Sequence, residues 1–104
     1  MFGISWIDMI GTYEQRKVAN YKNDIFEIDT VRVTDRRFPY ETAIRHKNFN
    51  DGDWIVLGFS STKEEAQEYH DKCVEQFTFS PYPVVIEDAY TFKEYPIVYV
   101  KEEK

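Results

Sequence analysis

The sequence predicts an α+β domain: a mostly antiparallel β-sheet of about five to six strands, with one principal α-helix packed on one face. Three observations carry that expectation. Residues 38–77 read as a strand, a turn, a second strand and a capped helix. The stretch before them is rich in β-branched residues, and the stretch after them returns to short extended segments behind Pro81 and Pro83. A chain of 104 residues is the size of one domain with one core. The expected plan is a single domain over 1–104, with an apolar segment at 1–12, strands over 13–60, a helix over 62–77 and strands again over 84–100.

The N-terminal segment holds Trp6, Ile7 and Ile10, but Asp8 interrupts it and no Lys or Arg precedes it. A secretory signal needs a basic start and an unbroken apolar run, and a membrane-spanning helix needs about 20 apolar residues. Neither is expected. The segment reads either as a short helical turn on the core or as a patch for a partner. Residues 13–21 read as a first strand through Val18, Ala19 and Tyr21. Lys22, Asn23 and Asp24 follow as its turn, because Asn and Asp tolerate turn geometry. Residues 25–33, IFEIDTVRV, read as a second strand from their β-branched content. Phe26, Ile28, Thr30 and Arg32 share one face; Ile25, Val31 and Val33 share the other with Glu27 and Asp29. The alternation alone does not choose the buried face.

Residues 34–39 are a connection, and Pro39 biases Phe38 toward an extended backbone. Arg36 and Arg37 there either grip an acidic group through bidentate bonds or keep the loop solvated. Residues 40–46 form the next strand, with Tyr40, Thr42, Ile44 and His46 on one face. Residues 47–53 are expected as the turn, because Gly52 after Asp51 supplies positive φ cheaply. The run WIVLGF at 54–59 suits a central strand covered on both faces, with Gly58 marking a bulge or a close helix approach.

The helix start is the clearest local signal. Ser61 and Thr62 are possible N-caps, and Thr62 with Glu65 forms a capping box. Ala66, Tyr69, Cys73, Val74 and Phe77 then recur at helical spacing and make one apolar stripe. The helix is expected to end near Thr78. Extended segments follow at 84–90 and 96–100, with Pro96 at a strand start or an edge, and the tail at 101–104 is expected to fray.

Composition narrows the function classes. The net charge is -6, which argues against a binder of the nucleic-acid backbone. Aromatics make up 17% of the chain; they suit both a compact core and a contact surface. The one cysteine, Cys73, has no internal disulfide partner and fits a reducing cytoplasm. His70 and Cys73, three apart on a helix, are two potential metal ligands without an evident third, so no metal site and no cofactor are expected. Cys73 lies on the apolar stripe, which suits packing better than nucleophilic chemistry. His70 reads as a boundary histidine making one hydrogen bond, and His46 stands at the end of a strand. Asp51 and Asp53 lack the calcium-loop spacing, and there is no phosphate-cradling glycine loop or nucleophile elbow. No catalytic residues are assigned.

Several stretches stand out together: PYETA at 39–43, NDGDWIV at 50–56, TKEEAQ at 62–67 and then His70, with DMIG at 8–11, Tyr13-Glu14, RKV at 16–18 and the run from Asp29-Thr30 to Asp35 upstream. In these stretches the chain resembles a family of small uncharacterised proteins of tailed bacteriophages and prophages. The resemblance covers roughly the first three quarters of the chain. Tyr69 stands where members tend to have glycine, Cys73 where they tend to have tryptophan, and Gly58 where an acidic residue is usual. The resemblance implies a phage origin and a shared fold; with that origin, the expected place of action is the host cytoplasm. It assigns no catalytic residues.

Three functions are weighed. The first is a non-enzymatic phage accessory protein that binds and inhibits a host protein, for example a component of antiviral defence. The second is a nucleotide-binding protein that sequesters a defence signalling molecule; Arg36, Arg37, Tyr40, Arg45 and Trp54 would supply arginines beside aromatics if they converge. The third is a small enzyme using His46 or His70 as acid–base. No membrane partner is expected, and an exposed sheet edge offers a route to a homo-oligomer.

Overall fold

A computed structural model of the protein describes residues 13–33 and 37–99. The predicted segment at 1–12, the loop residue Arg36 and the tail at 101–104 lie outside the described residues. In chain order the elements are a helical turn α1 (Tyr13–Arg16), strands β1 (Lys17–Lys22), β2 (Phe26–Arg32), β3 (Tyr40–His46) and β4 (Phe49–Ser60), helix α2 (Lys63–Thr78), and strands β5 (Val85–Glu87) and β6 (Glu94–Pro96). The first four strands form one antiparallel sheet in the order β1-β2-β3-β4, and β5 and β6 pair as a separate hairpin. Helix α2 packs across all four strands of the larger sheet. The fold is the α+β arrangement the sequence predicts.

Strand alternation sets the two faces. Phe26, Ile28 and Thr30 on β2 sit opposite His46, Ile44 and Thr42 on β3, and Ile55 of β4 sits opposite Ile44. This set faces α2 and forms the core with Phe49, Cys73, Phe77 and Ile86. Burying each such Ile or Phe is worth about 1.5–3 kcal/mol. The back face carries Glu27, Asp29 and Val31 on β2, Glu41, Ala43 and Arg45 on β3, and Trp54 on β4.

Helix α2 begins where the sequence places it. The Thr62 hydroxyl accepts the Glu65 N–H at 3.1 Å, while the Glu65 carboxylate accepts the Ser61 N–H and hydroxyl at 3.4 and 2.6 Å. The box therefore closes one residue earlier than Thr62 alone would close it. Gly58 is opposite Thr42 at a register shift, and a Cβ there would lie 2.8 Å from the Tyr69 hydroxyl. Both readings of Gly58, bulge and close helix approach, hold. At its C-terminus α2 is closed by the Phe79 N–H on Glu75 C=O, and the Ser80–Pro81 peptide bond that follows is cis.

Four local expectations are corrected. The first strand starts at Lys17, because Tyr13–Arg16 is a helical turn. The reversal between β3 and β4 is the two-residue turn Lys47–Asn48, with His46 opposite Phe49. Asn50, Asp51 and Gly52 do take positive φ (51°, 53° and 80°), but inside β4, as a bulge between Phe49 and Trp54. Strand β4 is an edge of the four-stranded sheet, not a central strand. Its apolar run is covered because the segment after β5 meets that edge: the Ala89 N–H donates to Val56 C=O at 2.9 Å, and the Asp88 carboxylate accepts the Val56 N–H at 3.2 Å. Finally, Pro96 ends a strand rather than starting one, and of the two expectations for it the edge position holds, since β6 is an edge of the two-stranded sheet. The opposite edge, β1, has Lys at both ends and a bulge after Lys17, which blunts it against further pairing.

Candidate functional site

A pocket of about 580 Å³ opens at the end of the sheet where α2 finishes. Its size falls in the range of small-molecule sites. The floor is aromatic: Phe26, His46, Phe49 and Phe77 come from β2, β3, β4 and α2. The His46 ring is parallel to Phe26 (3° between planes, centroids 5.9 Å apart) and edge-on to Phe49 at 4.9 Å. The outer wall comes from residues 80–84 and from Ile97 and Tyr99. That wall is held in place by two main-chain bonds, from Ile97 N–H to Val84 C=O and from Val98 N–H to Asn48 C=O.

His46 is buried. Its Nδ1 accepts the Asn48 N–H at 3.1 Å, so the proton of the neutral ring sits on Nε2. Burial pushes its pKa below the ordinary value, and the Lys47 charge adds to this. His70 is buried as well. Its Nδ1 meets the Thr30 hydroxyl at 2.9 Å, which meets the Thr42 hydroxyl at 2.8 Å, forming a closed polar chain beneath α2. Burial lowers the His70 pKa against the opposing pull of Asp71 and Asp29. Cys73 packs in the core, with burial raising its thiol to about 11.

Of the five predicted binding residues, the four that are described are distributed. Arg45 and Trp54 are cross-strand partners on the back face, with the guanidinium 5.1 Å from the Trp54 ring centroid. Arg45 is also paired to Glu27, with Nη2 and Nε 2.7 and 2.9 Å from Oε1. It lines a polar hollow of about 290 Å³ that shares His46 with the aromatic pocket. Arg37 stacks on Phe38 at 5.3 Å in the loop before β3. Tyr40 opens β3, five residues from Arg45 and on the other face, which at about 3.3 Å per residue is roughly 17 Å along the strand. Arg36 lies outside the described residues. The structure thus joins Arg45 to Trp54 and separates that pair from Arg37 and Tyr40.

Two features escape the sequence reading. One is Glu41, whose side chain is almost wholly buried on the back face. Burial raises its carboxyl from 4.5 to about 7. The Tyr90 hydroxyl offsets this in part and the Asp88 charge adds to it. Tyr90 does not reach hydrogen-bonding geometry, so neither carboxylate oxygen has a partner among the described residues. The other is the turn of the β5–β6 hairpin: the extended segments expected at 84–90 and 96–100 are present as shorter strands, Val85–Glu87 and Glu94–Pro96, with the reversal between them. Asp88 organises its turn: besides Val56 it accepts the N–H groups of Tyr90 and Thr91 at 2.8 and 3.0 Å. Burial opposes ionisation of Asp88, but these backbone donors outweigh it and hold the pKa below its usual value. Phe92 at the turn has φ 62° and is 72% exposed. The signal for this turn was Asp88 set two and three residues before Tyr90 and Thr91, an Asx-turn pattern.

Among the described residues there is no group of three or more His, Cys, Asp or Glu side chains placed to hold a metal ion, and no helix is long and apolar enough to cross a membrane. No model of a known protein family matches the sequence, and neither a curated protein nor a solved structure is significantly similar to it.

Proposed function

We propose that this chain is a non-enzymatic accessory protein that binds and inhibits a host protein, acting in the host cytoplasm, with the β5–β6 hairpin as its contact surface. The observation that carries this reading is where apolar surface is left exposed. Among the described residues, most of the large hydrophobic side chains open to solvent fall in residues 79–99, and Val85, Tyr90 and Phe92 of these are on the hairpin. Exposed apolar clusters on a small domain mark interaction sites. Phe92 strengthens the reading, because a bulky residue held at positive φ costs about 1–3 kcal/mol and such strain gathers at functional positions. The resemblance to small phage proteins supports the setting. The test is a photo-crosslinking residue at position 92, with one at the exposed Glu68 of α2 as control. A host protein captured from 92 and not from 68, and competed by wild type but not by Phe92→Ser, is the expected result. Equal capture from both positions, or none, overturns it.

A second reading, sequestration of a nucleotide, rests on Arg45 stacked over Trp54. A nucleotide adduct in native mass spectrometry, lost in Trp54→Ala, would favour it over the first.

A further inference from the structure

We infer that the pocket beside His46 is a small-molecule site for a neutral, flat heteroaromatic group that presents one hydrogen-bond acceptor to the His46 Nε2–H. The inference goes beyond the partner-binding reading and does not depend on it: that reading is tested at the hairpin turn, this one at the sheet end.

Four observations converge. The volume, about 580 Å³, leaves room for more than one ring. Phe26, Phe49 and Phe77 pack around the His46 ring, with Phe77 6.0 Å from it and 6.4 Å from Phe49, and this buried cluster gives the pocket an apolar floor on which a flat body can rest. The histidine tautomer is fixed. The Asn48 N–H occupies Nδ1, which leaves Nε2 as a donor, and no hydrogen bond to Nε2 forms among the described residues. The outer wall brings no ionisable group other than Tyr82 and Tyr99, so the site has no charge to satisfy an ionic ligand. The pocket is mostly apolar, and beside the amides and hydroxyls of Asn23, Asn48, Ser80, Tyr82 and Tyr99 it holds His46 Nε2–H as a donor of fixed tautomer on the aromatic floor, so a ligand without an acceptor leaves that group unpaired.

The test compares quinoline with naphthalene, two probes of the same shape that differ by one ring nitrogen. Each is titrated into uniformly labelled protein at pH 7.5, where quinoline is neutral, and followed by amide and His46 ring ¹⁵N correlations. Quinoline is expected to shift Phe49 and Phe77 and to bind about tenfold tighter than naphthalene, the scale of one hydrogen bond. In wild type it is also expected to move the Nε2–H resonance of His46 downfield, an effect naphthalene cannot produce. In His46→Phe the two probes should bind alike. If that variant does not fold, the wild-type Nε2–H shift decides alone. Naphthalene binding as tightly as quinoline, shifts mapping elsewhere, no binding by either probe, or an unmoved Nε2–H would each overturn the assignment. None of these outcomes bears on crosslinking from position 92.

Discussion

Replacing Glu41 with Gln separates the charge of this side chain from its shape. The carboxyl is buried on the back of β3, without a hydrogen bond among the described residues, and burial lifts it from 4.5 to about 7. A carboxyl raised in this way holds its proton more tightly in the folded state than in the unfolded one. Its contribution to stability is therefore full below about pH 4.5 and is lost as pH rises through about 7. The gap from 4.5 to about 7, at about 1.36 kcal/mol per pH unit, is worth about 3 kcal/mol. Glu41→Gln removes the titration but leaves an amide to desolvate, at about 1–3 kcal/mol at every pH. The variant should be less stable than wild type at pH 4 and equal to it or more stable at pH 8. The informative quantity is the difference between the two proteins, which should change by about 3 kcal/mol across that range. His46 and His70 titrate with the opposite sign: their lowered pKa values give stability that is present above about pH 6.5 and lost as pH falls. They are common to both proteins and cancel. Urea unfolding followed by tryptophan fluorescence at half-unit steps from pH 4 to 8 measures it. Parallel stability curves for the two proteins would refute the raised pKa.

Further outcomes follow from particular contacts. Gly58→Ala places a Cβ 2.8 Å from the Tyr69 hydroxyl, so Tyr69 must move and give up its 2.9 Å bond to Leu57 C=O; a loss of about 1–3 kcal/mol is expected in denaturant melts, and an unchanged midpoint would sink this account. Thr62→Ala removes the cap on Glu65 N–H and should cost about 1 kcal/mol, whereas Thr62→Asp should restore it. Cys73, buried and raised to about 11, should resist a thiol reagent at pH 8 until the protein unfolds; rapid labelling of the folded protein would contradict its placement. Asp88→Ala removes acceptors for Val56, Tyr90 and Thr91, and should speed amide exchange at those three positions while leaving β2 and β3 protected.

Features that local chemistry decides were legible in the sequence. The start of α2 needs only Ser61, Thr62 and Glu65, and its buried stripe needs only the spacing from Ala66 to Phe77. Features that depend on distant partners were not. Gly52 after Asp51 is a strong turn signal, yet Lys47–Asn48 makes the reversal and the left-handed residues serve a bulge. WIVLGF reads as central because both faces are covered, but Asp88 and Ala89 take the place of the neighbouring strand. Glu41 looks like a solvent-facing charge in an alternating strand, and nothing within its own segment indicates burial. The His46 pocket takes its floor from β2, β3, β4 and α2, so no single stretch contains its pattern.

The larger sheet has the same order in space as in sequence, and this bears on how the chain is made. Every pairing from β1 to β4 joins consecutive segments, so each closes a short loop and needs nothing downstream. The sheet can zip together strand by strand while the chain is still leaving the ribosome, with α2 sealing the core afterwards. The partners of the β4 edge, Asp88 and Ala89, come last. Until they arrive, the nascent chain carries an open, apolar strand edge, and that interval is when it is most exposed to aggregation.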